Sequence, residues 1–159
     1  MEKQDTYSCI DIANYFIKKH KNTNNQITNM QLQKLVYFTN GIYMHYEGYP
    51  LIKEKIQAWK YGPVIPELYD ELKNFGSNAV NKIIQNDNSK EISEEMIPLL
   101  ESIDRIFGTM DAWELSDISH IKEGAWDKAK KLGDYLENED IKEEFKKLHI
   151  PSLTTDKEV

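Results

Sequence analysis

Apolar residues recur at helical spacing along most of this chain, and capping signals punctuate the runs. Ile12, Ala13, Phe16 and Ile17 form a first stripe behind Ser8 and Asp11, which read as a helix start, and the polar run 19–25 reads as a loop. Thr28 and Gln31 then match a capping box, with Ile27 and Leu32 as its hydrophobic staple. The helix so opened is predicted over about 29–46, stopped by Gly48, with Leu32, Leu35, Val36, Thr39, Ile42, Tyr43 and Tyr46 facing inward. It is expected to be the central helix. Residues 53–60 alternate as a short strand does, Ile56 and Ala58 against Gln57 and Trp59, and 82–85 is expected to pair with it. Pro66 suits the first turn of a helix carrying Leu68, Tyr69, Leu72 and Phe75 and ended by Gly76.

Four further helices follow the same logic. Residues 93–107 place Ile97, Leu100, Ile103 and Phe107 inside, with Pro98 removing a hydrogen bond and kinking the start. Asp111 and Glu114 give a second cap signature with Met110 and Leu115 as staple, opening a segment that carries Trp113, Leu115 and Ile118. After a loop at Glu123 and Gly124, a helix starts near Ala125 or Trp126, and a last one spans 138–148 with Ile141, Phe145 and Leu148 as its apolar face. Residues 154–159 read as a frayed tail. The fold class expected is mainly α: a compact single-domain helical fold with a small two-stranded β ribbon, its core at about 8–130.

Length and charge narrow the function. A chain of 159 residues is expected to form one domain over 1–159 and to bury a core without staples. The formal charge is −7, and Arg105 is the one arginine among 20 basic residues. Such a surface repels phosphate backbones and suits a basic protein partner instead, so no nucleic-acid partner is expected. A single cysteine excludes an intrachain disulfide framework. The start of the chain is polar, and no apolar run approaches the roughly 20 residues that span a bilayer. No membrane association is expected, and the location expected is cytoplasmic.

The densest chemistry lies at 57–69, which reads Gln-Ala-Trp-Lys-Tyr-Gly-Pro-Val-Ile-Pro-Glu-Leu-Tyr. Gly62 admits unusual backbone angles, and Pro63 and Pro66 fix their own. Beside Trp59, Tyr61 and Tyr69 this makes a stiff aromatic corner, with Trp59 and Tyr61 sharing a face by alternation. The corner serves either fold-defining packing or a partner surface, and the two are compatible. His120 lies between Trp113 and Trp126 with Ser116, Asp117 and Ser119 around it, which suits either a buried hydrogen-bonded network or a binding notch.

Catalytic and metal chemistry find little support. His20, His45, His120 and His149 show no metal-ligand spacing, and the paired carboxylates 94–95 and 143–144 read as solvated helix faces. Cys9, in the first turn of the first helix, is either a thiol activated by the helix dipole or a small packing residue, and packing is the stronger reading. No catalytic residue, no metal and no cofactor are expected, so the chain reads as a binding module rather than an enzyme.

Four linked motifs then resemble one family. Gln31-Leu32-Gln33-Lys34-Leu35-Val36-Tyr37-Phe38 is similar to the signature helix of the Panacea domain, also called SocA-like or GepA-like. Gly48-Tyr49-Pro50-Leu51 resembles its G-x-P-L turn, and 58–66 resembles its AWxYGPVxP core with Tyr69 in the helix beyond. Residues 115–120 with Trp126 resemble its LSxxTH…PW segment, except that Ser119 replaces threonine and Ala125 replaces proline. The resemblance covers about 8–130. It implies an antitoxin-like protein that neutralises a cognate protein toxin by direct binding. The alternatives it implies are an adaptor that delivers the toxin through a protease chaperone, or a phage-encoded host-interaction factor. The partner-binding residues expected are Trp59, Tyr61, Pro63, Tyr69, His120 and Trp126.

Overall fold

In the computed structural model, which describes residues 6–121, 124–132 and 135–147, everything is arranged around one long helix. The described helices are α1 (Cys9–His20), α2 (Asn29–Glu47), α3 (Pro66–Leu72), α4 (Ile97–Phe107), α5 (Ala112–Ser119), α6 (Ala125–Leu132) and α7 (Asn138–Lys147). Between α2 and α3 lies an antiparallel ribbon of β1 (Gln57–Trp59) and β2 (Gly62–Val64).

The α2 helix begins and ends where its capping residues dictate. Thr28 accepts a hydrogen bond from the Gln31 amide, and the Gln31 carboxamide accepts from the Thr28 amide at 2.8 Å. Gly48 closes the helix with φ of 90°, in the left-handed region. The expected inward stripe is too narrow, because α1, α4, α5, α7 and β2 pack around α2. Gln33, Lys34, Tyr37, Phe38, Asn40 and Met44 are buried along with the stripe. Tyr46, expected inside, is instead 44% exposed in the last turn of α2, and Tyr43 is half-buried, its ring meeting Tyr49 edge-on at 5.6 Å beyond the helix end.

Aromatic rings fill the space between α2, α4 and α7. Phe38 lies 4.7 Å from Phe107 and 6.2 Å from Phe145, and Tyr37 meets Phe145 edge-on at 5.5 Å. Gly41 lets the Phe145 ring lie against the α2 backbone; a Cβ there would fall inside the ring's contact distance.

Several expectations require correction. The strand expected at 82–85 is absent: Asn14 donates its side-chain amide to the Ile84 carbonyl at 2.9 Å and accepts from the Ile84 amide at 2.8 Å. With both backbone groups taken by an asparagine, this segment has no ladder to offer β1. The partner of β1 is β2, closed by a two-residue turn at Lys60 and Tyr61, and the strand is shorter than 53–60. On its other side, β1 receives Tyr135 as an isolated bridge at Gln57. Pro98 does not kink a helix interior, because a 3₁₀ turn covers 94–96 and α4 proper starts at Ile97, where a proline loses no helical bond. The polar run 19–25 begins inside α1, which continues to His20. Its end is held to α4 by His20, whose Nε2 lies 2.5 Å from Asp104 Oδ1. Trp113, near the start of α5, is 67% exposed. The expectations for Glu123, Leu148 and the tail 154–159 fall outside the described residues.

Gly41→Ala is expected to destabilise by about 1–3 kcal/mol in chemical denaturation, despite the better helix propensity of alanine, because the methyl group displaces Phe145. A stabilised variant would show that α7 does not seat against α2 in this way.

Candidate functional site: a cross-braced aromatic corner

The ribbon turn is held from below, from the side and from behind. From below, the buried Lys34 of α2 donates from Nζ to the Pro63 carbonyl at 3.1 Å, and Gln33 accepts the Ile65 amide at 2.8 Å. From the side, Ser116 of α5 donates to the Tyr61 carbonyl at 2.6 Å. From behind, the Trp126 indole of α6 donates to the Trp59 carbonyl at 2.7 Å. Gly62 fits this packing for two reasons. Its φ is 121°, and a Cβ there would lie 2.9 Å from both Lys34 Cε and Ser119 Oγ.

The structure brings all six sequence-predicted residues into one region but gives them different exposures. Pro63 and Trp126 are buried, Trp59, Tyr69 and His120 are half-buried, and Tyr61 is 45% exposed. Trp59 and Tyr61 do not share a face. Tyr61 sits in the turn rather than in the strand, so strand alternation does not carry through to it. The Trp59 ring packs edge-on against Tyr69 at 4.9 Å, while Tyr61 meets Trp113 edge-on at 5.5 Å. His120 stacks on Trp126 with ring centres 4.0 Å apart and planes 16° from parallel. Burial lowers its pKa below the usual imidazole value and the charge on Lys34 acts the same way, against the Tyr61 backbone and Asp117, which favour the protonated form. The ring stacked on Trp126 is therefore neutral near pH 7.

Lys34 and Glu144, like Asp11 of α1, are buried charged groups whose burial sequence reasoning missed. Lys34 reads in the sequence as one polar position of a helix motif, and only the packing of β2 over it reveals its burial. Burial lowers its pKa from 10.5 to about 8. Glu144 of α7, which the sequence reading put on a solvated face, is also buried. Its Oε1 accepts from the Tyr37 hydroxyl and the Ala125 amide, each at 3.0 Å, and burial raises its pKa. It thereby ties α7 and α2 to the first turn of α6, just before Trp126.

The other chemical candidates recede. Cys9 is fully buried; burial, then the charge of Glu54, pushes its thiol pKa up, contrary to activation by the helix dipole. Among the described residues, no three His, Cys, Asp or Glu side chains cluster as a metal site requires, and no helix is long and apolar enough to cross a membrane. The arrangement offers hydrogen-bonded rings and stiff backbone, suited to presenting a surface.

The family described as "Antitoxin SocA-like, Panacea domain" matches residues 32–127, a segment that contains the whole corner. The chain belongs to this family. It is 32% identical over 128 residues to Antitoxin SocA of Caulobacter vibrioides (strain NA1000 / CB15N), a match covering 73% of this chain and 66% of that protein. The chain thus spans just under two thirds of that relative's length. No solved structure matches. The segment matched to the Panacea domain begins at the start of the Lys34 helix and ends one residue past Trp126, so the brace from α2 and the brace from α6 both lie within it.

Lys34 makes the brace sensitive to pH. Below about pH 8 the amine is charged in both states, and the folded state carries the cost of burying it. Between about 8 and 10.5 the folded state has lost the proton while the unfolded chain keeps it, so this site's contribution to stability rises with pH. Lys34→Met removes that titration. The stability of the parent minus that of Lys34→Met is expected to grow by on the order of 2–3 kcal/mol from pH 7.5 to 10.5, measured by urea denaturation. Parallel pH profiles would show that Lys34 is not buried as a cation.

Proposed function

We propose that this protein is an antitoxin that neutralises a cognate protein toxin by direct binding, through the corner at 57–69 and the neighbouring segment 120–126. The observation that carries this reading is membership of an antitoxin family over a segment that includes every brace of an aromatic corner. The role is binding and needs no catalytic group. Tyr61 is the anchor: it stands 45% exposed on a turn whose backbone is fixed on three sides, so docking costs it little entropy. Trp59, Tyr69, His120 and Trp126 hold it there, and Pro63 keeps the backbone stiff and accepts from Lys34. The net charge of −7 favours encounter with a basic toxin and discourages nucleic acid.

Tyr61→Ala separates anchoring from packing. Its ring is exposed, so the variant is expected to melt within a few degrees of the parent. Its affinity for the toxin encoded beside its gene is expected to fall by about 2 kcal/mol, measured by calorimetry, with loss of growth rescue on co-expression. A folded variant that binds and rescues like the parent places the toxin surface on another face.

A further inference from the structure

The α5 and α6 helices open with the same three-residue pattern, Ala-Trp-acid, at 112–114 and 125–127. In α6 the fourth residue after the tryptophan is Lys130. Its ammonium lies 4.5 Å from the centre of the Trp126 ring and 3.8 Å from the Asp127 carboxylate. One helix face therefore assembles aromatic ring, cation and carboxylate from its own residues.

In α5 the equivalent position is Asp117. Trp113 is 67% exposed, the most exposed of the large hydrophobic residues described, and its one ring neighbour is Tyr61. Lys60 of the ribbon turn lies 5.3 Å from the centre of the Tyr61 ring, but among the described residues no cation lies over Trp113, and Asp117 makes no side-chain hydrogen bond or ion pair. Asp111 and Glu114, also exposed, each use one carboxylate oxygen in the helix cap and keep the other. The α5 face thus has the ring and the carboxylates of the α6 arrangement but lacks its cation.

We propose that the Trp113 ring, braced edge-on by Tyr61 and with Asp117 one helical turn away, receives an arginine side chain of the partner protein. This rests on the antitoxin reading and adds Trp113 and Asp117 to its surface. An apolar side chain laid on Trp113 would strip water from Asp117 and give nothing back. An anionic group would be repelled by the three carboxylates. A guanidinium satisfies both halves, its plane stacking on the indole and its N–H groups paired with the carboxylate, which a lysine's compact ammonium does less well.

The test uses the intact protein, labelled with nitrogen-15, and the peptide acetyl-tetra-arginine amide as probe. The Trp113 indole resonance, assigned with Trp113→Phe, is expected to shift on titration. The indoles of Trp59 and Trp126, bonded to Gln57 and to the Trp59 carbonyl, are expected to stay. Asp117→Asn should weaken the peptide about three- to fivefold, and tetra-lysine should bind more weakly than tetra-arginine. An unmoved Trp113 indole, an equal response to tetra-glutamate, or an unchanged affinity in Asp117→Asn would overturn the proposal. Toxin affinity separates the two readings. If Tyr61→Ala weakens the toxin while Trp113→Ala and Asp117→Asn do not, the cation site is wrong and the corner stands. If all three bind toxin like the parent, the surface itself is wrong. A loss in all three supports the arginine site.

Discussion

A helix buried on every side cannot be apolar on every side if it is also to hold irregular chain around it. That constraint organises this molecule. The α2 helix carries polar side chains into the core, and Gln33, Lys34 and Asn40 among them meet backbone groups that no ladder satisfies. Asn40 accepts the amides of Leu51 and Ile52 at 2.9 and 3.2 Å, Gln33 accepts that of Ile65, and Lys34 donates to the Pro63 carbonyl. Gln31 donates to the Met110 carbonyl at 2.9 Å, fixing the approach to α5. Left unmet, each of these groups would cost on the order of 1–3 kcal/mol. Met, they turn α2 into the template on which the segments between helices are laid.

The corner inherits its stiffness from this arrangement. Three-residue strands make a ribbon too short to be stable alone, and its turn would be mobile in water. Here the turn is anchored through its backbone: α2 takes Pro63, α5 takes Tyr61 and α6 takes Trp59. Because those bonds use carbonyl oxygens, the Tyr61 ring is left outside while the chain beneath it is immobilised. Gly62 is the residue that allows so close an approach. A rigid, partly exposed aromatic on a protein of net charge −7 suits the toxin-binding role proposed above.

Much of this was legible from local signals. The capping boxes at Thr28 and Asp111 placed the starts of α2 and α5, and Gly48 placed the end of α2, because these depend on neighbours within a few residues. The segments 57–69 and 115–126 each stood out locally, but that Trp126 and Ser116 brace the corner, 67 and 55 positions away, depends on the fold. What failed depends on contacts distant in sequence. Nothing near Ile84 shows that Asn14, 70 positions earlier, occupies its backbone groups. Nothing near Lys34 or Glu144 shows that β2 and α6 will cover them. Trp113 gave no local sign of its side, and only the packing of α5 shows its ring turned outward.

Native-state hydrogen exchange at the Ile65 amide tests the template role of α2 most directly. Ile65 belongs to neither β2 nor α3, so its protection depends on the Gln33 carboxamide 32 residues away. The amide is expected to exchange only with global unfolding in the parent, and orders of magnitude faster in a folded Gln33→Leu variant, with Leu51 and Ile52 unchanged. Exchange at the rate of an open loop in the parent, or an unaltered rate in Gln33→Leu, would contradict the account.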